Sequence, residues 1–361
     1  MNTRFLRTIL SGLLLLQAAS SVCADDELSP RLSRTNLLSY RNASGEVVPI
    51  KSVADWSKRR AAILVGMQRV MGPLPGSEKR CPLDPQITEE VNCGDYVRRL
   101  ISYASQPGSR VPAYLLIPKR ALSGSGKFPA VLALHQTHEA GQKVVVGLGE
   151  SPNDEYGVAL AKRGFVVLAP PYTMLANYWP DVKALGYQSG TMKAIWDNMR
   201  ALDLLESLPE VDGQRMGCIG HSLGGHNTMF TAAFDPRIKA LVSNCGFTRF
   251  HKYYGGKLVG WTSPRYMPLI ASKYQNDANQ VPFDFPEIIA LFAPRPFLAS
   301  SPISDSNFEV SGVRDAIASA QPIYALYGKA DQLQANYPNS THDFPEDSRN
   351  VANGYLDKYL K

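Results

Sequence analysis

The chain has 361 residues, 44% of them hydrophobic and 19% charged, with a formal net charge of +6. This is a globular composition, which excludes disordered and collagen-like classes. The basic excess is too small and too scattered for a nucleic-acid partner. Beyond the N-terminus no apolar run reaches the roughly 18 residues of a membrane span.

The first 24 residues read as an export signal. Arg4 and Arg7 precede an apolar run at 9–19, and Val22-Cys23-Ala24 places small residues before Asp25. Cleavage there predicts a periplasmic or secreted protein that is free of the membrane. It also leaves Cys81, Cys93, Cys218 and Cys245, an even set with three possible pairings. Cys81 and Cys93 bracket a Pro-rich loop and could close a ring. Cys218 and Cys245 lie in apolar runs and read as free core thiols.

Residues 25–94 form a lead-in with one helix. Ala61, Ile63, Leu64, Met67, Val70 and Met71 share a face over 55–71, and Gly72-Pro73 ends it. A hairpin follows, 96–104 and 111–117, joined at Gln106-Pro107-Gly108. From residue 128 short apolar runs alternate with helical periods. Strands are expected at 128–134, 165–169, 215–219, 238–243 and 296–300, and helices at 156–163, 191–208, 222–234, 316–326 and 348–360. Strands apolar throughout and alternating with helices imply an α/β fold, a doubly wound, mostly parallel sheet over 95–361 with the hairpin at one edge. Residues 247–294 break the rhythm. They are rich in aromatics and prolines, among them Phe250, Tyr253, Tyr254, Trp261 and Tyr266, and read as a candidate lid.

Gly220-His221-Ser222-Leu223-Gly224-Gly225 follows one expected strand and opens a helix. A Gly-x-Ser-x-Gly there exposes a serine oxygen at a sharp turn beside helix N–H groups. Ser222 is the candidate nucleophile, and it needs a base. Of six histidines, His221 occupies the variable place beside the serine, His226 lies one turn into the helix, His135 and His138 follow the first buried strand, and His251 is in the candidate lid. Only His342 leaves room for an acid between Ser222 and itself, in the chain order Ser, acid, His. Asp305, five residues beyond the strand at 296–300, is favoured over Asp331, which falls at a helix end. Asp343 adjoins His342 and cannot easily reach the neighbouring ring. The oxyanion donors are expected to be the backbone N–H of Leu223 and that of Thr137, with Gln136 second. His135, His138 and Glu139 lack a His-Glu-x-x-His spacing, so neither a metal nor another cofactor is expected.

The motifs at 134–137, 163–170, 220–225, 293–296 and 341–344 together resemble the α/β-hydrolase superfamily. Within it the chain is similar to the exported bacterial branch of dienelactone-hydrolase-like and acetyl-xylan-esterase-like proteins. That resemblance implies a serine carboxylic-ester hydrolase, with Asp305 as the acid and a small-molecule or carbohydrate ester, such as an acyl ester of a polysaccharide, as substrate. Ser222 departs from the cysteine nucleophile of dienelactone hydrolases proper. Leu223 departs from the Arg of glucuronoyl esterases, and Gln136 from the usual Gly. The rival readings are a prolyl-oligopeptidase-like peptidase, whose usual propeller has no room here, and a non-catalytic binding protein on the same fold.

Overall fold

The computed structural model describes residues 31–124 and 126–361. The expected export signal lies outside the described residues. Ser33–Lys361 form one unit. It opens with a small antiparallel pair, β1 (Ser39–Arg41) and β2 (Val47–Pro49), and helix α1 (Val53–Met71). Ser52 caps α1 by accepting from the Asp55 N–H, and Gly72 ends it at φ 90°, where a side chain would be strained. Next come β3 (Gln86–Asn92), β4 (Tyr96–Gln106), β5 (Ser109–Pro118), the single turn α2 (Lys119–Leu122) and β6 (Phe128–Leu134). The alternation continues with α3 (Tyr156–Lys162), β7 (Val166–Ala169), α4 (Gly190–Ser207), β8 (Val211–His221), α5 (Leu223–Phe234) and β9 (Ile238–Asn244). The last part holds α6 (Leu269–Ser272), α7 (Phe285–Phe292), β10 (Phe297–Ser300), α8 (Val310–Leu326), β11 (Leu333–Asn336) and α9 (Glu346–Leu360).

Nine strands form one sheet in the order β11-β10-β9-β8-β6-β7-β5-β4-β3. Pairing is parallel from β11 to β7 and antiparallel from β7 to β3. The hairpin β4–β5 therefore is not the edge, because β3 lies outside it. Every residue of β7 is buried, as befits a strand covered on both faces. Side-chain alternation then feeds two cores. Leu132, Val166, Leu168 and Leu241 pack with Trp56, Trp196, Phe230 and Phe285 on one face. Val131, Val167, Ile219 and Val242 pack with Tyr156, Leu160 and Leu356 on the other.

The segment 247–294 divides in two. Its first part is 3-10 turns, Phe250–Gly256 and Leu258–Trp261, which lie over the C-terminal end of the sheet beside Ser222. Its last part, α7, is buried along its whole length and started by an Asp284/Glu287 capping box. That part is core rather than lid.

All four described cysteines are free thiols. Cys81 precedes β3 and Cys93 follows it, and the seven residues of β3 separate them by about 20 Å at the rise of a strand. That distance is far beyond the roughly 7 Å limit of a disulfide. Cys218 and Cys245 are buried and unpaired, as expected of core thiols.

Candidate active site

The site lies at the C-terminal ends of the central parallel strands, where a doubly wound sheet places its functional loops. β8 runs into α5 through Ser222, which sits at φ 53°, ψ −117°. Two glycines allow this turn. A Cβ on Gly220 would come within 2.2 Å of the Gly224 backbone, and one on Gly224 within 1.8 Å of the Leu134 carbonyl oxygen. The sequence spacing thus packs α5 directly against the end of β6.

His342 lies in the loop between β11 and α9, and Asp305 in the loop between β10 and α8. Backbone bonds join these loops: Ser301 N–H donates to Asn336 O (2.8 Å), Ile303 to Pro338 (3.0 Å) and Ser304 to Ser340 (3.2 Å). The His342 ring is brought between Ser222 and Asp305. Its Nε2 is 2.8 Å from Ser222 Oγ, and its Nδ1 is 2.9 and 3.0 Å from the two Asp305 oxygens. The N–H groups of Asn307 and Phe308 donate to Asp305 Oδ1 at 2.8 and 3.0 Å. Burial pushes the Asp305 carboxyl up, but the bond and charge of His342 and these two N–H groups outweigh it and hold the carboxyl below the ordinary carboxylate range. His342 therefore bonds both of the other residues singled out from the sequence, Ser222 on one side and Asp305 on the other. Asp331 lies elsewhere, in a 3-10 turn ahead of β11. Asp343 turns its carboxylate to Asn153 Nδ2, 2.7 Å away.

Leu223 is the first residue of α5, so its N–H has no helical carbonyl a turn earlier. Thr137 lies in the pocket wall with Ser222 and Leu223. Gln136 does not line that wall. Its carbonyl accepts from His135 Nδ1 (2.6 Å), and its side chain bonds Asp154. His135 is a structural post: its Nε2 accepts from the Tyr172 N–H at 2.8 Å, which assigns the proton to Nδ1. Burial pushes this imidazole down to about 4, so it is neutral. The His221 ring lies 5.1 Å from the His342 ring at a tilt of 44°, accepts from Asn244 Nδ2 and is likewise lowered to about 4, first by burial and then by the neighbouring His342.

The pocket beside Ser222 has a cavity of about 160 Å³. Besides Thr137 and Leu223 its wall holds His226, Tyr253, Trp261, Tyr266, Asn307 and Phe308. Sequence reasoning missed His226, Asn307 and Phe308 as wall residues. Cys245, read as a core thiol, lies with Asp305 and His342 in a group whose ligand atoms are all within 4.8 Å of one another. Burial pushes its thiol strongly up. It is a protonated neighbour of the acid, not a thiolate.

This turn, line of side chains and sheet define the chain as a serine hydrolase on the α/β-hydrolase fold. Residues 155–359 match the prolyl oligopeptidase family, and the chain belongs to that family. The family named among the rival readings is thus its own, although a peptidase activity does not follow from membership. The chain is 27% identical to YtaP of Bacillus subtilis over 263 residues, which is 70% of this chain and 84% of YtaP. A glucuronoyl esterase from Solibacter usitatus superposes with a TM-score of 0.73 at 18% identity, covering 92% of this chain and 100% of that one. Acetyl xylan esterase 1 from a Thermoanaerobacterium species gives 0.54 at 15% identity, over 83% of this chain and 93% of that one. At these identities the two structures speak for the fold.

Proposed function

We propose that the protein is an exported ester hydrolase that works through a Ser222–His342–Asp305 triad on esters of polysaccharides. The observation that carries this reading is the unbroken hydrogen-bonded line from Ser222 Oγ through His342 to the Asp305 carboxylate. Ser222 Oγ attacks the ester carbonyl while His342 Nε2 takes its proton. Asp305 holds the ring with Nε2 facing the serine and stabilises the imidazolium that forms. The Leu223 and Thr137 N–H groups receive the developing oxyanion. His342 returns the proton to the leaving alcohol, and water then releases the acyl group by the same steps.

The polysaccharide part rests on the fold neighbours, one named a glucuronoyl esterase and the other an acetyl xylan esterase, and on the aromatic wall of Tyr253, Trp261, Tyr266 and Phe308. Aromatic faces suit sugar rings. The export part rests on Arg4, Arg7 and the apolar run after them. Family membership favours one second reading, cleavage of an amide.

Hydrolysis of p-nitrophenyl acetate by the protein and by Ser222→Ala tests the triad, with a peptide p-nitroanilide run alongside. The substitution is expected to lower kcat by about 10⁴ to 10⁶-fold. Equal rates for both proteins would sink the triad reading. Turnover of the anilide but not the ester would replace it with the peptidase.

A further inference from the structure

His226 lies one turn beyond Ser222 in α5, is 1% exposed and contributes to the pocket wall. Neither of its ring nitrogens has a hydrogen-bond partner. Trp261, from the 3-10 turn Leu258–Trp261, also lines the pocket and also leaves its indole N–H unpartnered. The two rings touch at a tilt of 38° with centroids 4.8 Å apart, and the Phe230 ring lies 4.0 Å from His226. Buried polar atoms are nearly always paired, because an unpaired one forfeits its hydration for nothing. Three such nitrogens at one pocket, all within side chains that adjoin the nucleophile, call for a ligand that supplies their partners.

Their chemistry specifies that ligand. Burial pushes the His226 imidazole down to about 3, so it is neutral and offers one donor and one acceptor. The indole offers a donor only. An acyl methyl group would leave all three dry. A hydroxyl both donates and accepts, and neighbouring hydroxyls on a ring can meet the set. The cavity of about 160 Å³ matches the roughly 150 Å³ of an apolar cavity that takes one benzene ring, so it admits one six-membered ring.

We propose that His226 and Trp261 are substrate-recognition residues, and that the pocket beside Ser222 receives a hydroxyl-bearing ring whose hydroxyl groups pair with their nitrogens. This rests on the ester-hydrolase reading above and adds which part of the ester enters the pocket.

The test compares p-nitrophenyl acetate, which has no hydroxyls, with the methyl ester of glucuronic acid and with acetylated xylotriose. His226→Phe keeps an aromatic ring in contact with Trp261 and Phe230 and removes the nitrogens. Trp261→Phe keeps an aromatic wall and removes the N–H. Each is expected to lose kcat/KM on the sugar ester about tenfold more than on p-nitrophenyl acetate. Thermal unfolding is followed in parallel. A purely structural His226 would give equal losses on all substrates, or none, and either result overturns the proposal while leaving Ser222-dependent ester hydrolysis intact. If the unaltered enzyme turns over p-nitrophenyl acetate but neither sugar ester, the proposal and the polysaccharide reading both fall.

Discussion

Gly224, two residues beyond Ser222, lies so close to the end of β6 that a Cβ there would stand 1.8 Å from the Leu134 carbonyl oxygen. The obstacle is backbone and cannot rotate away. Gly224→Ala must push α5 off the strand, and with it the loop that begins at His135. Overpacking of this kind is destabilising by about 3 kcal/mol, and it separates Thr137 from Leu223. Thermal unfolding should show the loss, and p-nitrophenyl acetate turnover should fall further than unfolding alone explains. Wild-type melting in Gly224→Ala would contradict the packing described.

Asp305 makes a pH prediction. Its carboxyl is held below the ordinary range by His342 and two backbone N–H groups, against the opposing effect of burial. A depressed folded-state value means that the stabilisation is present above the unfolded value, about 3.9, and is lost as the pH falls through the lower folded value. In Asp305→Asn that part of the acid dependence should vanish. Melting curves from pH 6 downward would therefore fall less steeply for the variant than for the wild type. At neutral pH the variant should hydrolyse esters about 10³ to 10⁴-fold more slowly, since an amide cannot hold the ring as the carboxylate does. Parallel melting curves would remove the charged pair from the account.

The three candidate triad residues, which the structure brings into one hydrogen-bonded line, were legible because each had a local signature: a Gly-bracketed serine between strand and helix, one histidine late enough in the chain, and an acid just past a neighbouring strand. The parts that were not legible lack such signals. β3 is exposed at all but one position, so it shows no alternation of apolar residues, and missing it left Cys81 and Cys93 looking close. α7 is apolar and buried on every side, which erases the helical period and let it merge with the lid. His226 reads as an ordinary helix residue until Trp261, 35 positions further on, is seen packed against it in the pocket wall.

A second buried charge pair predicts a stability effect away from the site. Lys193 and Asp197 bond on successive turns of α4, with side chains 0% and 1% exposed. Tyr178 OH donates to Asp197 Oδ2 at 2.9 Å and accepts from Lys193 Nζ at 2.9 Å, and Ser105 Oγ lies 3.2 Å from Nζ. Lys193→Met leaves the carboxylate buried with its cation gone, and should destabilise by about 3 to 5 kcal/mol. The double variant Lys193→Met, Asp197→Leu should recover much of that loss, because two apolar chains need no partners. Denaturant unfolding of the three proteins separates the cases. A single variant as stable as wild type would mean that the pair carries no weight.

The cysteines give a prediction that checks the placement of β3. Cys81 and Cys93 are half-buried free thiols on either side of that strand, whereas Cys218 and Cys245 are buried. Burial pushes the Cys218 thiol up to about 12 and the Cys245 thiol higher, so neither offers thiolate or access to a reagent. With a thiol-reactive dye, the native protein should label at Cys81 and Cys93 and resist at the other two. Peptide mapping after labelling in denaturant should then find Cys218 and Cys245 as well. Cys81→Ala should leave the labelling of Cys93 and the melting temperature unchanged, because the two sulfurs are strand-lengths apart. A Cys81–Cys93 disulfide in the mapped peptides would require β3 to be placed differently.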